Sequence, residues 1–482
     1  MIMLELLLKN ANVGMKTSSS VRSLGIENGY IRFASEKPYP NVKAKEEFDL
    51  KGFFVYPGFI DSHIHIFSTA ESLFRWADLK DCRSIENIAE RLMTMGERSW
   101  LVGRGWVEDE LKERRKPTAI DLDRFFEDVP ICIVRNCGHM CILNTKAMTK
   151  LGIKSVDGTF YEQDVGRIVN KIRELSPVNK ESAILTILKK FNTVGITEAV
   201  DMDVDADTLK VYQRLSNGGR LTVKVRAFIS TSALSAFDSL NLSEDEFFKV
   251  IGIKCYADGS LGASTAALSR GYKDDPENYG YLEDERILSR AFHEAKKRGL
   301  GVAIHAIGDA GVSKALDIIE EMGNTSTLFP RIEHCQVLNP VIIERFSGMD
   351  IGVCIQPLFA ISDKMLIREK LYDEYLPYSY AWRKIYDTGV ITVGGSDSPV
   401  ENFAPLLSVK AAMKNGTESL TKDEAFAIYT TNASKLLKEC ENGKIEKGMK
   451  ADLVVLSSDD PENAKVLYTF VNGKNVFSDI EK

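Results

Sequence analysis

The sequence predicts an α/β protein: a (β/α)8 barrel of the TIM type, a composite β-sandwich built from the two chain ends, and a subdomain inserted after the first barrel strand. Three observations carry that expectation. Through the middle of the chain, short apolar runs alternate with longer segments of helical period, the rhythm of repeated βα units. The two ends share a different texture of short strands and turns, and in this reading they pair into one domain. Between the first two barrel strands lie about 130 residues, far more than a βα connection takes.

Taken in order, residues 1–56 alternate apolar runs with turn signals such as Glu27-Asn28-Gly29, as a small antiparallel module does. The run Phe53-Phe54-Val55-Tyr56-Pro57-Gly58-Phe59-Ile60 then leads as the first barrel strand into Asp61-Ser62-His63-Ile64-His65. Seven more strands are expected near 196–200, 222–229, 250–256, 301–305, 331–334, 351–355 and 391–395. Eight is the number that closes such a barrel. The long interval holds strands of its own near 101–106 and 131–136 and a helix over 85–95. It reads as an inserted subdomain, residues 70–190, lying over the barrel mouth. Thr421 to Glu424 has capping-box spacing ahead of the periodic Ala425-Phe426-Ala427-Ile428-Tyr429. The tail reads as a strand over 451–456 and a hairpin over 467–473, so the sandwich takes residues 1–56 and 437–482 and the barrel 57–436.

Composition narrows the partners. The chain has 482 residues, 44% hydrophobic and 27% charged, which is ordinary for a soluble globular protein. A net charge of −7 without any basic block leaves no electrostatic footprint for nucleic acid or an anionic membrane, so a small-molecule substrate is expected. The apolar stretch near the start is too short to span a bilayer and lacks the layout of a signal peptide, which makes a cytoplasmic location the default. Eight scattered cysteines point to reduced thiols, and a homodimer is the default assembly.

Functional side chains of such barrels gather at the C-terminal ends of the strands. The polar, metal-competent residues at those ends are His63, His65, Lys254, His305, His334 and Asp397. His63 and His65 share one face of their strand by its two-residue period. The others stand in Ile253-Lys254-Cys255-Tyr256-Ala257-Asp258-Gly259, Ala303-Ile304-His305-Ala306, Ile332-Glu333-His334-Cys335 and Gly394-Gly395-Ser396-Asp397-Ser398.

This set, in this chain order, resembles the amidohydrolase superfamily of metal-dependent hydrolases, most closely the amidohydrolase 3 branch that includes N-substituted formamide deformylases. The likeness extends over nearly the whole chain, taking in the split β domain, Thr430-Thr431-Asn432-Ala433-Ser434 and Gly443-Lys444-Ile445 leading to Gly448-Met449-Lys450-Ala451-Asp452-Leu453. The resemblance implies one or two divalent metal ions: His63, His65 and Asp397 on the first, His305 and His334 on the second. Lys254 would bridge them as a carbamate formed with carbon dioxide, since an ammonium only donates while a carbamate offers two anionic oxygens. Imidazole and carboxylate donors suit zinc, with iron, manganese, cobalt or nickel as substitutes. The same likeness implies hydrolysis of a non-peptide C–N bond, in an amide, N-formyl or cyclic amide group. A metal-activated water attacks, with Asp397 as general base and then acid.

Blander readings stand beside these. A lone His-x-His can be a hydrogen-bonded core pair, and Lys254 can remain an ammonium among carboxylates. His139, in Cys137-Gly138-His139-Met140-Cys141, lacks the spacing of a separate zinc site and reads as a substrate contact, against an ordinary hydrogen-bonded histidine. Asp258 contacts substrate, orients the site or serves as a turn aspartate; Trp106 lines the pocket or the core. His293, on a helix between strands, reads as a surface residue. On the same metals, a deaminase or an ester or lactone hydrolase is the alternative activity. A non-catalytic scaffold on a retired hydrolase fold is the alternative class.

Overall fold

The computed structural model describes residues 3–14, 22–36, 42–96, 98–136, 140–324 and 329–480. They belong to two compact units, Met1–Ile66 with Leu185–Lys482, and Phe67–Ile184.

In the first unit eight strands form one all-parallel sheet in chain order: Phe59–Ile64, Ile196–Val204, Lys224–Ser230, Phe248–Tyr256, Gly301–Ala306, Arg331–His334, Gly352–Ile355 and Ile391–Gly394. The first, third, sixth, seventh and eighth are buried at every position. Parallel strands covered on both faces favour apolar residues on both, as in Gly352-Val353-Cys354-Ile355. The third and sixth also bury Lys224, Arg226, Arg331 and Glu333, whose charges are paired inside. The ladder runs from first strand to eighth, and the remaining seam is drawn together beyond the strand ends. There the Asp397 N–H donates to the His63 carbonyl at 2.7 Å, the His65 N–H to the Ser398 carbonyl at 3.0 Å, and the Ser396 N–H to the Asp61 carboxylate at 3.0 Å. Gly395 permits this approach: a Cβ there would lie 2.6 Å from the Cβ of His63.

The chain ends do share a sheet. Its order is Asn12–Val13, Phe54–Pro57, Leu453–Leu456, Val466–Val471 and Lys474–Ser478, and the last two strands turn at Asn472 and Gly473, both with positive φ. A second sheet comes from the N-terminal part alone, in the order Tyr30–Ser35, Ser23–Glu27, Met3–Lys9 and Lys43–Asp49. Leu6, Leu8, Leu24 and Ile26 of one sheet pack with Val55, Leu453, Val455 and Phe470 of the other, giving the sandwich its core. The capping box at Thr421 is present, with the Glu424 N–H on the Thr421 hydroxyl and the Thr421 N–H on the Glu424 carboxylate.

The second unit holds a five-stranded sheet, in the order Thr159–Tyr161, Met140–Leu143, Ile131–Arg135, Leu101–Trp106 and Trp76–Asp78. Its helix Ile85–Met93 is shorter than the 85–95 expected, because Thr94 caps it and Gly96 takes a left-handed turn. Among the described residues no helix is long and apolar enough to cross a membrane.

Candidate metal centre

The seam between the first and eighth strands sets the first half of the site. It brings Asp397 Oδ1 to 3.3 Å from His63 Nε2 and 3.2 Å from His65 Nε2, so three ligand-type atoms face one point. Asp397 adopts a left-handed backbone, φ 55, a conformation that aspartate tolerates better than most residues. Burial works against its charge, yet the two imidazoles hold the carboxyl well below the usual range, so Asp397 is an anion here.

The fifth and sixth strands supply the second half. The rings form a chain, His65 to His63 with centroids 5.6 Å apart, His63 to His334 at 4.9 Å and His334 to His305 at 4.5 Å. His334 sits at φ 79 and Cys335 at φ 49, two consecutive non-glycine residues in the left-handed region. Each such conformation costs about 1–3 kcal/mol, and strain of this kind concentrates at functional sites. Burial and the neighbouring charge of Lys254 push the His305 imidazole down to about 4, and burial with His305 pushes His334 down as well. Both rings are therefore neutral, the state in which imidazole offers a lone pair.

Each imidazole is tied from behind at one nitrogen. His63 Nδ1 meets Glu333 Oε2 at 2.5 Å, His65 Nδ1 donates to the Met202 carbonyl at 3.0 Å, His334 Nδ1 to the Gln356 side-chain carbonyl at 2.8 Å, and His305 Nε2 to the Gly259 carbonyl at 2.9 Å. The ligand nitrogens would then be Nε2 of His63, His65 and His334 and Nδ1 of His305. Holding the far nitrogen fixes tautomer and ring angle, as metal-binding histidines require.

Lys254, on the fourth strand, is sealed from solvent, and its Nζ has no hydrogen-bond partner among the described residues; the Tyr256 ring centroid lies 5.4 Å away. Burial pushes the amine down from its ordinary value, opposed by the charges of Glu333 and Asp397. An amine so placed is inclined to be neutral and nucleophilic. The donors fit a divalent ion: four imidazoles each held at one nitrogen, one carboxylate, and a buried amine without a hydrogen-bond partner among the described residues.

Of the other residues singled out from the sequence, Asp258 is a loop organiser. Its carboxylate accepts from the N–H groups of Ile307 at 2.9 Å, Gly308 at 2.8 Å and Ala267 at 3.0 Å, and lies 3.7 Å from His305 Nε2. Burial raises it to about 7. Trp106 is fully buried in the core of the 67–184 unit with Leu79, Leu92 and Ile133, and a packing role accounts for that burial. His139 lies outside the described residues. His293 is exposed and donates to the Ser289 carbonyl one helical turn back.

Sequence reasoning missed Glu333, Gln356 and Asp61. Glu333 stood in the quoted Ile332-Glu333-His334, sharing the parity of Arg331, and Gln356 is the first residue beyond the seventh strand, an end left without a polar candidate. Asp61 accepts from the N–H groups of His63 at 3.1 Å and Ser396 at 3.0 Å, clamping the seam.

The Amidohydrolase family profile matches residues 46–477. The YtcJ protein of Bacillus subtilis is 30% identical over 505 aligned positions, covering 94% of this chain and 95% of that protein. The N-substituted formamide deformylase of Arthrobacter pascens is 23% identical over 538 positions, covering 98% of each chain. Among solved structures, a metal-dependent hydrolase from Pyrococcus horikoshii superposes with a TM-score of 0.80 at 28% identity, covering 95% of this chain and 98% of that one.

Proposed function

This chain belongs to the amidohydrolase family of metal-dependent hydrolases, and on that premise we propose that it cleaves a non-peptide C–N bond in a small amide, N-formyl amine or cyclic amide. The observation that carries the proposal is the Nζ of Lys254, without a hydrogen-bond partner among the described residues, beside four imidazoles, each tied from behind at one nitrogen, and the Asp397 carboxylate. In this reading His63, His65 and Asp397 would hold one zinc ion and His305 and His334 a second, with Lys254, carboxylated by carbon dioxide, as a further anionic donor. Bound there, the ions supply Lewis acidity toward the scissile carbonyl and acidify water.

The chain's own groups do the rest. Asp397, ionised and facing His63 and His65, takes a proton from the attacking water and returns it to the leaving nitrogen. Glu333, Met202, Gln356 and Gly259 keep the imidazoles from turning away. Asp258 ties the loop after the fourth strand to the loop after the fifth, fixing Gly259 behind His305. The N-formyl option is supported by the likeness to the formamide deformylase, and the acidic balance of the chain supports a small-molecule substrate. A cytoplasmic homodimer with neither nucleic-acid nor membrane partner completes the proposal.

Elemental analysis of protein purified without added metal, paired with a substrate panel, tests it. About two equivalents of zinc with release of formate or carboxylate from amides is the expected result. Ammonia released from aminated heterocycles instead would make the protein a deaminase, and absence of both metal and metal-restored activity would leave only the scaffold reading.

A further inference from the structure

The acceptors behind the four imidazoles are not equivalent. Three are neutral: two main-chain carbonyls behind His65 and His305, and the Gln356 amide behind His334. Behind His63 stands a carboxylate, Glu333, at 2.5 Å, whereas the Asp258 carboxylate lies 3.7 Å from His305 Nε2, beyond hydrogen-bond distance. Glu333 is fully buried and held in turn by Arg331, whose Nε lies 2.5 Å from Glu333 Oε1 and whose Nη2 lies 3.0 Å from Oε2 and 2.7 Å from the Ser62 carbonyl. Two strands are thereby linked: Arg331 and Glu333 share one face of the sixth, while Ser62 and His63 adjoin on the first. A carboxylate on the far nitrogen fixes the tautomer, orients the ring and raises the basicity of the nitrogen that faces the ion.

We infer that Glu333, locked by Arg331, is a positioning residue that commits His63 to metal binding and makes the His63–His65–Asp397 position the tighter of the two. This rests on the two-ion reading above. The ligand charges point the same way: the first position has three protein donors including the Asp397 anion, whereas His305 and His334 contribute two neutral donors. The second position therefore depends more heavily on Lys254.

The test is zinc competition against a chromophoric chelator for wild type, Glu333→Gln and Gln356→Glu, with histidine 15N NMR of the metal-free wild type. Wild type is expected to release its ions in two steps. Glu333→Gln should weaken the tighter step by about 10–100-fold, the usual cost of losing a ligand's outer partner, and leave the weaker step in place. Gln356→Glu, which gives His334 its own carboxylate, should tighten the weaker step. The NMR spectrum should show His63 protonated at Nδ1. A folded Glu333→Gln protein with an unchanged tighter step, or His63 lacking the Nδ1 proton, overturns the inference. Should Glu333→Gln fail to fold because Arg331 loses its counter-charge, Gln356→Glu and the wild-type spectrum still decide it. Wild type that binds no zinc yet shows the Nδ1–H signature would overturn the two-ion reading, and the ordering with it, while the Glu333 contact itself would stand.

Discussion

Two lysines are sealed inside the barrel, each 1% exposed, and they live in opposite surroundings. Lys224 opens the third strand at its N-terminal end, where its ammonium lies 2.5 Å from Asp452 and 3.5 Å from Glu246. Beside it Arg226 is shared by Glu198 at 2.8 Å and Glu439 at 2.6 Å, and Asn442 donates to both carboxylates. Lys254, toward the C-terminal end of the next strand, has no hydrogen-bond partner among the described residues. One end of the barrel matches its buried charges and so holds the returning chain around residues 439–452 against the strands. The other leaves an amine unmatched and two imidazoles pushed toward neutrality, which is stability given up for a site ready to take a ligand.

The largest effect should come from the unmatched end. Asp397→Asn keeps the shape of the side chain but loses the anion and the proton carrier, so turnover should fall on the order of 10^4-fold with the fold intact. Steady-state kinetics with far-ultraviolet dichroism would check both halves, and an Asp397→Asn protein with near wild-type turnover would end the role. Lys254→Met sharpens the contrast. It should abolish turnover too, yet the metal-free variant should melt at or above the wild-type temperature, because an apolar chain replaces a buried amine that has no hydrogen-bond partner among the described residues.

The same substitution at the matched end should do the reverse. Lys224→Met leaves Asp452 buried without its cation, a change that costs about 3–5 kcal/mol. Thermal unfolding should show the loss while zinc content per folded molecule stays that of wild type. If Lys224→Met and Lys254→Met change stability alike, the two ends do not differ in how they treat a buried charge.

How much of this was legible beforehand follows from the same physics. Much of the barrel could be read because parallel strands buried on both faces tend to apolar runs, as at Gly352–Ile355, and ligand candidates could be read because they stand at the strand ends. The partners that give the ligands their chemistry were harder. Met202 and Gly259 act through main-chain carbonyls, which any residue owns, so no side chain marks them. Glu333 was hidden by its neighbour: next to His334 in sequence, it serves His63 across the barrel, a pairing that only the fold creates. Gly395 was legible as a glycine but not as the gap through which the first and eighth strands meet. The charge-matched end was not read at all, because Glu198, Lys224, Glu439 and Asp452 are scattered over more than half the chain and look like ordinary surface residues until they are brought together.

The smallest effect probes whether the matched end is matched at every pH. Burial pushes the Glu198 carboxyl up to about 7 from its ordinary 4.5, with Arg226 working the other way. A carboxyl raised on folding adds stability that is fully present below its unfolded value and is lost as pH rises through its folded one. Glu439, held down by Arg226 against burial, has the opposite sense, and its contribution changes only below about 4.5, its ordinary value. The window between about 4.5 and 7 therefore isolates Glu198. Relative to Glu198→Gln, wild type should lose stability on the order of 1 kcal/mol across that window, read as the difference between the two melting-temperature profiles. Asp61, Asp201 and Asp258 are also raised, but they are common to both proteins and cancel in the difference. Parallel profiles would mean that Glu198 stays ionised beside Arg226 throughout, so that its charge is matched at every pH. A widening gap would mean that this end too tolerates one imperfectly matched group, and that the contrast with Lys254 is one of degree.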